Sequence, residues 1–158
     1  MSSVTPASDT DEGSTTAQFS VRIAVRTYEL DALGHLNQAV YHSYAEHSRV
    51  EMFRAAGCDT SATFADGFAP VLLASEARYL RELRGGEEVD LSTAVVFGAG
   101  KTFAMNTRIT KLDGTVSATV NGTLGLLDMT IRRLVANPRE RIAALATNPA
   151  VIFGPAPA

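Results

Sequence analysis

The sequence is poor in the features that mark several large classes of protein. Cys58 is the only cysteine among its 158 residues, which excludes a framework of disulfides and makes a reducing compartment, the cytoplasm, the expected location. No apolar run reaches the length of a membrane span, and the N-terminus lacks the charged and then apolar pattern of a secretion signal. We therefore expect a globular protein with no membrane partner.

Positive charge is scarce as well. The chain has 14 Lys and Arg against 17 Asp and Glu, which gives a formal net charge of −3. The adjacent pair Arg132-Arg133 is too small to form the basic patch that nucleic-acid binding requires. The sequence therefore predicts no nucleic-acid partner.

The signatures of several catalytic and metal sites are missing too. A Gly-x-Ser-x-Gly motif is absent, which excludes a serine esterase of the α/β type. His42 and Glu46 have the spacing of two ligands on one helical face, but no third ligand is apparent, and His42 and His47 do not match the zinc-protease spacings. We expect neither a metal ion nor another cofactor, and we interpret Cys58 as a structural thiol.

The composition that remains is that of one globular domain, with 46% hydrophobic and 20% charged residues. Residues 1–18 are rich in small polar residues and predict a disordered tail. Residues 147–158 are rich in Pro and Ala and predict a loose C-terminal tail. The folded domain is expected to span residues 19–146.

Alternation of apolar and polar residues predicts five strands, at 19–29, 70–83, 89–97, 101–111 and 115–127. The last four are separated by short turns, of which Asp113-Gly114 is the strongest hairpin signal. Strands joined by hairpins form an antiparallel sheet.

One long helix is predicted between the first two strands. The segment from Leu36 to Ala56 contains neither Pro nor Gly, and Gly57 supplies a stop. One face with helical spacing is expected to be buried, whereas Arg49 is expected on the solvated side; the buried face consists of Tyr41, Ala45, Ser48, Met52 and Ala55. With a short last helix at 139–146, the fold class is α+β, a curved antiparallel sheet of about five strands wrapped round one central helix.

The turn before the long helix contains most of the candidate chemistry. Asp31 opens a turn that Gly34 closes, and the helix starts a few residues later. A helix N-terminus carries free N–H groups and a partial positive charge, which polarise a carbonyl oxygen placed there. A carboxylate and an electrophile activator within reach of one substrate atom suit acyl transfer.

The segment from Asp31 to Tyr41 reads D-x-x-G-H-x-N-x-x-x-Y, and it resembles the signature of the hotdog-fold thioesterases, in particular the 4-hydroxybenzoyl-CoA thioesterase-like group. The resemblance extends from about Ser20 to Ala146. It implies hydrolysis of an acyl-CoA or acyl-carrier-protein thioester, with Asp31 as nucleophile or general base and the backbone N–H of Gln38 polarising the carbonyl. It also implies that Lys101 binds the phosphates of CoA, and that the chain forms a homodimer or homotetramer with the active site at the dimer interface.

Other residues of the signature have more ordinary interpretations. We expect His35 and Asn37 to brace the turn as cap and loop residues and Tyr41 to pack in the core; the alternative for Tyr41 is a hydroxyl group that lines the pocket. The chain departs from the branch that supplies this mechanism at His35, where the branch has an apolar residue, and at Ala69, where it has a hydroxyl residue. Two other functions stay open, a non-catalytic acyl-CoA binding protein and a dehydratase or hydratase of the same fold, as does an enzyme specific for a carrier protein of a polyketide pathway.

Overall fold

The computed structural model describes residues 19–58 and 66–156, so the predicted N-terminal tail lies outside the described residues. The chain forms six strands and three α-helices over this part, in the following order: β1 (Phe19–Ala24), α1 (Val40–Ala55), β2 (Phe68–Tyr79), β3 (Glu88–Phe97), β4 (Thr102–Lys111), β5 (Val116–Asp128), β6 (Arg133–Leu134), α2 (Pro138–Leu145) and α3 (Ala150–Phe153). Within it, no helix combines the length and the apolarity that crossing a membrane requires.

The strands form one antiparallel sheet in the order β1-β3-β4-β5-β2, with the short β6 paired to β5. Hairpins join β3 to β4 and β4 to β5, as predicted. A hairpin between β2 and β3 was also expected, and this prediction is wrong, because β2 pairs with β5 and β1 takes the place beside β3. The turn at 84–87 therefore carries the chain from β2 at one edge of the sheet to β3, which lies next to the opposite edge strand β1.

Two predicted strands are shorter than expected. β1 ends at Ala24, because Glu29 bonds back to Arg26 and closes a 3₁₀ turn over Thr27–Glu29. β2 ends at Tyr79, where the N–H groups of the next two residues both donate to the carbonyl of Ser117 at 2.8 and 3.0 Å. β2 also has a bulge between Leu72 and Ala74. Since β2 borders only β5, its other edge is unpaired within the described chain.

The helix α1 packs along the face of the sheet. The predicted buried face is confirmed at Tyr41, Ala45, Ser48 and Met52, but Ala55 is exposed and Ala56 is buried in its place. Arg49 is also buried, which contradicts its predicted position on the solvated side. A chain of buried hydroxyl groups joins the helix to the sheet: Ser48 Oγ lies 2.7 Å from Thr93 Oγ1, which lies 2.8 Å from Thr107 Oγ1.

The core extends further along the chain than expected. Ile152 of α3 is 2% exposed and belongs to the same apolar cluster as Met52 and Leu126, and Asn148 N–H donates to the carbonyl of Ala56 at 2.9 Å. The prediction of a loose tail from residue 147 is therefore wrong for residues 148–153. A segment rich in Ala and Pro can still be ordered when one apolar side chain such as Ile152 is buried.

Candidate active site

A cleft of about 310 Å³ lies where α1 begins beside the end of β2. Four of the predicted site residues line it, together with residues from the end of β2 and the segment after it; the full lining is Asp31, His35, Leu36, Gln38, Tyr41, Tyr79, Leu80, Arg81 and Glu82. A larger depression of about 430 Å³ lies on the sheet, where polar residues of β3, β4 and β5 line it. Of these two cavities, only the first lies at the start of a helix and contains the predicted site residues.

Asp31 both braces the turn and lines the cleft. Its Oδ1 accepts hydrogen bonds from the N–H groups of Leu33 at 2.9 Å and His35 at 3.2 Å. Its backbone N–H donates to the carbonyl of His35 at 2.8 Å, and Gly34, with φ +76°, closes the turn by donating to the carbonyl of Asp31. No described residue donates to Oδ2, so this second carboxylate oxygen is free to contact water or substrate.

Gln38 presents a free amide at the start of α1. Its neighbours are engaged: Asn37 N–H donates to the carbonyl of Glu29, Ala39 N–H to Asn37 Oδ1, and Val40 N–H to the carbonyl of Asn37, all at 2.9 Å. Among the residues that the structure describes, none accepts a hydrogen bond from Gln38 N–H. Its carbonyl accepts one from the hydroxyl group of Tyr79 at 2.9 Å. The turn therefore leaves Gln38 N–H as a donor just before the positive end of the helix.

The remaining residues of the signature take supporting positions. The Asn37 side chain closes the turn that precedes α1, which begins at Val40 rather than Leu36. His35 forms a backbone bridge with Arg84. Tyr41 is 3% exposed and packs edge to face against Tyr79, with 5.0 Å between the ring centroids. Burial raises the pKa of Tyr41, so its hydroxyl group stays protonated.

A hydrogen-bond network that the sequence analysis missed holds this segment to the helix. The Tyr44 hydroxyl group donates to Glu29 Oε2 at 2.5 Å, and the same oxygen accepts Arg26 N–H at 2.9 Å. Burial by itself raises the pKa of Glu29, but the hydrogen bonds from Tyr44 and Arg26 outweigh it and keep that pKa below its usual value. Burial and the adjacent carboxylate both raise the pKa of Tyr44. No motif marks this contact, because Glu29 and Tyr44 are 15 residues apart.

Lys101 does not reach this cleft within one chain. It precedes Thr102, which pairs with Gly125 and so lies level with Val71 of β2, whereas the cleft lies at Tyr79. Eight residues of strand separate the two positions by about 26 Å. No cluster of three or more His, Cys, Asp or Glu that could hold a metal ion occurs in residues 19–58 and 66–156.

Comparison with known proteins gives a consistent result. The family model of the thioesterase-like superfamily matches residues 25–145. A chloroplastic acyl-acyl carrier protein thioesterase, ATL3, of Arabidopsis thaliana is 34% identical over 68 residues, which are 43% of this chain and 36% of that protein. The matched region thus spans about a third of the curated relatives' length.

Solved structures share the fold. The probable thioesterase YbaW of Escherichia coli superimposes with a TM-score of 0.71 at 22% identity, over 81% of this chain and 98% of that one. The protein SAV2348 of Staphylococcus aureus, solved in complex with CoA, gives a TM-score of 0.72 at 19% identity, over 87% of this chain and 89% of that one. The predicted hotdog architecture is therefore confirmed. The family match covers more than half of the sequence, and the chain belongs to the thioesterase-like superfamily.

Proposed function

We propose that this protein hydrolyses a thioester of CoA or of an acyl carrier protein to a free acid and a thiol. One observation carries the proposal: Asp31 and Gln38 line the same cleft at the start of α1, and Gln38 N–H has no acceptor among the described residues. The first can deliver or activate a nucleophile, and the second can stabilise the negative charge that develops on the carbonyl oxygen.

The reaction follows from these two groups. With its carbonyl oxygen at Gln38 N–H, the thioester carbon becomes more electrophilic, and the helix N-terminus favours the oxyanion of the tetrahedral intermediate. Asp31 Oδ2 then removes a proton from a water molecule whose oxygen bonds to that carbon, and the carbon–sulfur bond breaks as the thiolate leaves and takes up a proton. In the alternative, Oδ2 bonds to the carbon itself, the carbon–sulfur bond breaks and the thiolate leaves with a proton, and water then hydrolyses the resulting anhydride to the free acid and the Asp31 carboxylate.

Both proposed carriers have support from relatives. The Arabidopsis protein is an acyl-acyl carrier protein thioesterase by name, and the Staphylococcus aureus structure contains CoA. The cytoplasmic location predicted from the single cysteine stays a prediction.

A homo-oligomer is part of the proposal. Leu72 and Leu73 of β2 have 48% and 51% of their surface exposed, and one edge of this strand has no partner in the described chain. A long exposed strand with apolar side chains is a template for pairing with another chain. A second copy beside β2 also offers the way for Lys101 to serve this reaction, because Lys101 of the same chain lies far from its own cleft. Whether the assembly is a dimer or a tetramer stays open.

Asp31→Asn tests the proposal directly. The amide retains an oxygen that can accept the turn's two N–H bonds but removes the charge, so we expect the release of thiol from a panel of acyl-CoA and acyl-carrier-protein substrates to fall by about a hundredfold or more. Asp113→Asn is the matched control, because Asp113 braces a remote hairpin through an N–H bond to its carboxylate in the same way, at 2.8 Å from Thr115 N.

The results separate the candidate functions. Equal turnover by the parent and Asp31→Asn rejects the role of Asp31, and an equal loss in Asp113→Asn indicates a general effect on folding. Binding of acyl-CoA by the parent without any release of thiol favours a non-catalytic binding protein. Conversion of an acyl chain without free thiol favours a dehydratase or hydratase.

A further inference from the structure

Arg49 is a buried cation that the proposed chemistry does not use. It is only 7% exposed, and its Nη1 has no hydrogen-bond partner among the residues the structure describes. Glu46, one turn earlier on α1, raises the pKa of Arg49, but burial has the larger and opposite effect. A guanidinium group stays charged in proteins, and a buried charge without a partner is strongly destabilising. Nη1 of Arg49 is therefore a buried donor for which the described residues offer no acceptor.

Two hydrogen bonds show which flank of α1 faces β2. His42 Nδ1 lies 2.8 Å from Ser75 Oγ, and the carbonyl of Gln38 accepts the bond from Tyr79. Arg49 follows His42 by seven residues, which is two helical turns less about 20°, so it lies on the same flank. Helical side chains lean toward the N-terminus, and the Arg49 side chain therefore extends toward His42 and the cleft.

The elements between these polar groups are small on the helix and bent on the strand. Ala45 lies on this flank between His42 and Arg49, three residues after the first and four before the second, and its side chain is a single methyl group. The bulge of β2 between Leu72 and Ala74 directly precedes Ser75. Bulges bend a strand and redirect its side chains, and they are frequent beside active sites.

We propose that His42, Ser75 and Arg49 form a second subsite in the seam between α1 and β2, which binds an oxygen atom of the acyl group beyond the thioester. The inference rests on the proposed function and specifies its substrate class, an acyl chain that carries a carboxylate or a carbonyl. A guanidinium group has only donors, so an oxygen acceptor satisfies Nη1 and an alkyl chain cannot. Ser75 occupies one nitrogen of His42 and fixes the ring, which leaves Nε2 for the same ligand.

The test compares acyl-CoAs of equal chain length. Hydrolysis is measured for three substrates: octanoyl-CoA, 3-oxooctanoyl-CoA, and suberoyl-CoA, which ends in a carboxylate. The parent is compared with Arg49→Met, which keeps an unbranched side chain but removes the guanidinium group. We expect the parent to prefer one of the oxygenated substrates. The ratio of kcat/KM for that substrate to kcat/KM for octanoyl-CoA should fall about tenfold or more in Arg49→Met, as expected for the loss of one hydrogen bond to a charged group. The preferred substrate identifies the acceptor as carbonyl or carboxylate.

Arg54→Met is the matched control, because Arg54 is on the same helix but exposed and ion-paired to Glu51 at the surface. It must leave the ratio unchanged, and Ser75→Ala must lower it. The proposal is wrong if the parent shows no preference for an oxygenated chain, or if Arg49→Met leaves the ratio intact. It is also wrong if Arg49→Met lowers all three activities alike and separates the oligomer in gel filtration, because Arg49 then pairs with a second copy of the chain.

The failure of thioester hydrolysis is a separate outcome. If the parent releases no thiol from any substrate, calorimetric binding of the same three acyl-CoAs to the parent and to Arg49→Met tests the subsite alone. Tighter binding of an oxygenated chain, lost in Arg49→Met, supports the subsite even then, and equal binding of all three rejects it.

Discussion

Asp31 combines a structural contact with a carboxylate oxygen that is available for the proposed chemistry. The sequence predicted that Asp31 opens a turn, as Asp commonly does, and the resemblance implied a catalytic role for the same residue. In the structure, Oδ1 accepts the N–H groups of Leu33 and His35 and so holds the turn, whereas no residue of the described chain donates to Oδ2. The fixed Oδ1 limits rotation of the group and so aims Oδ2, which is the preorganisation that acyl transfer requires. The two interpretations are therefore compatible.

Tyr44→Phe tests the second contact that holds the turn. Removing the hydroxyl group takes a donor from a largely buried carboxylate, so the free energy of unfolding at pH 7 should fall by about 1.5 to 3 kcal/mol. The hydrogen bonds keep the pKa of folded Glu29 below its value in the unfolded chain, about 4.3. Their contribution is therefore complete above that pH and is lost as the pH falls through the lower, folded pKa.

Urea unfolding followed from pH 7 down through pH 4 measures both effects. The difference in stability between the parent and Tyr44→Phe should shrink at the acid end of this series. Tyr28→Phe is the control, because Tyr28 is exposed and should leave stability unchanged at every pH. A deficit in Tyr44→Phe that is the same at all pH values would show that the effect is one of packing and not of Glu29.

At the scale of elements, periodicity located α1 and the strands but not their neighbours. The alternation that predicted β5 arises because one face of the strand is buried. It is the same whichever strands pair with β5, so it could not show that these are β4 and β2. The order of strands depends on which edges meet in space, and so the hairpin expected at 84–87 does not form. α3 and β6 are too short, at four and two residues, to show a period.

The sequence could indicate only part of the candidate site, because only some of its residues lie close together along the chain. Asp31, His35, Asn37 and Gln38 are close in sequence, and a local motif could mark them. Arg49 was misassigned because a charged residue on a helix is usually solvated, and its burial results from tertiary packing. The contacts of Tyr44 with Glu29 and of His42 with Ser75 join residues distant in sequence, so no spacing rule could find them.

The turn that presents Asp31 can be tested as an element through Gly34. Its φ of +76° lies in the left-handed region, and an added Cβ would meet no atom within 4 Å, so Gly34→Ala changes the backbone preference and not the packing. We expect a loss of about 1 kcal/mol in stability and a clear fall in kcat, because the turn relaxes and moves the Asp31 carboxylate. Gly34→Asn should retain more activity, since Asn tolerates this conformation.

Gly114→Ala provides the comparison for that turn. Gly114 has φ +89° and equally open surroundings, but it lies in the hairpin between β4 and β5. The two alanine variants should lose similar stability in thermal unfolding, and only Gly34→Ala should lose kcat. Equal losses of kcat in both would show that the Asp31 turn has no special relation to the reaction.

At the scale of the whole molecule, the separation of Lys101 from Asp31 predicts shared active sites. Eight residues of β2, about 26 Å, lie between their levels on the sheet, so a site that uses both must take them from two copies of the chain. In a two-fold dimer, each of the two equivalent sites then contains Asp31 of one copy and Lys101 of the other.

Mixing two inactive variants tests this arrangement. Asp31→Asn and Lys101→Ala homodimers should each hydrolyse CoA thioesters slowly, because every site lacks one of the two groups. In a mixed dimer, one site contains both substitutions and the other site contains neither. When an equal mixture is unfolded and refolded, about half of the dimers should be mixed, so about a quarter of the parent's sites should be recovered. If Lys101 serves its own chain, or serves no site, mixing gives only the mean of the two homodimers. Thiol release per subunit, with gel filtration to verify assembly, distinguishes these results, and a mixture of Asp31→Asn with the parent provides the reference for random exchange.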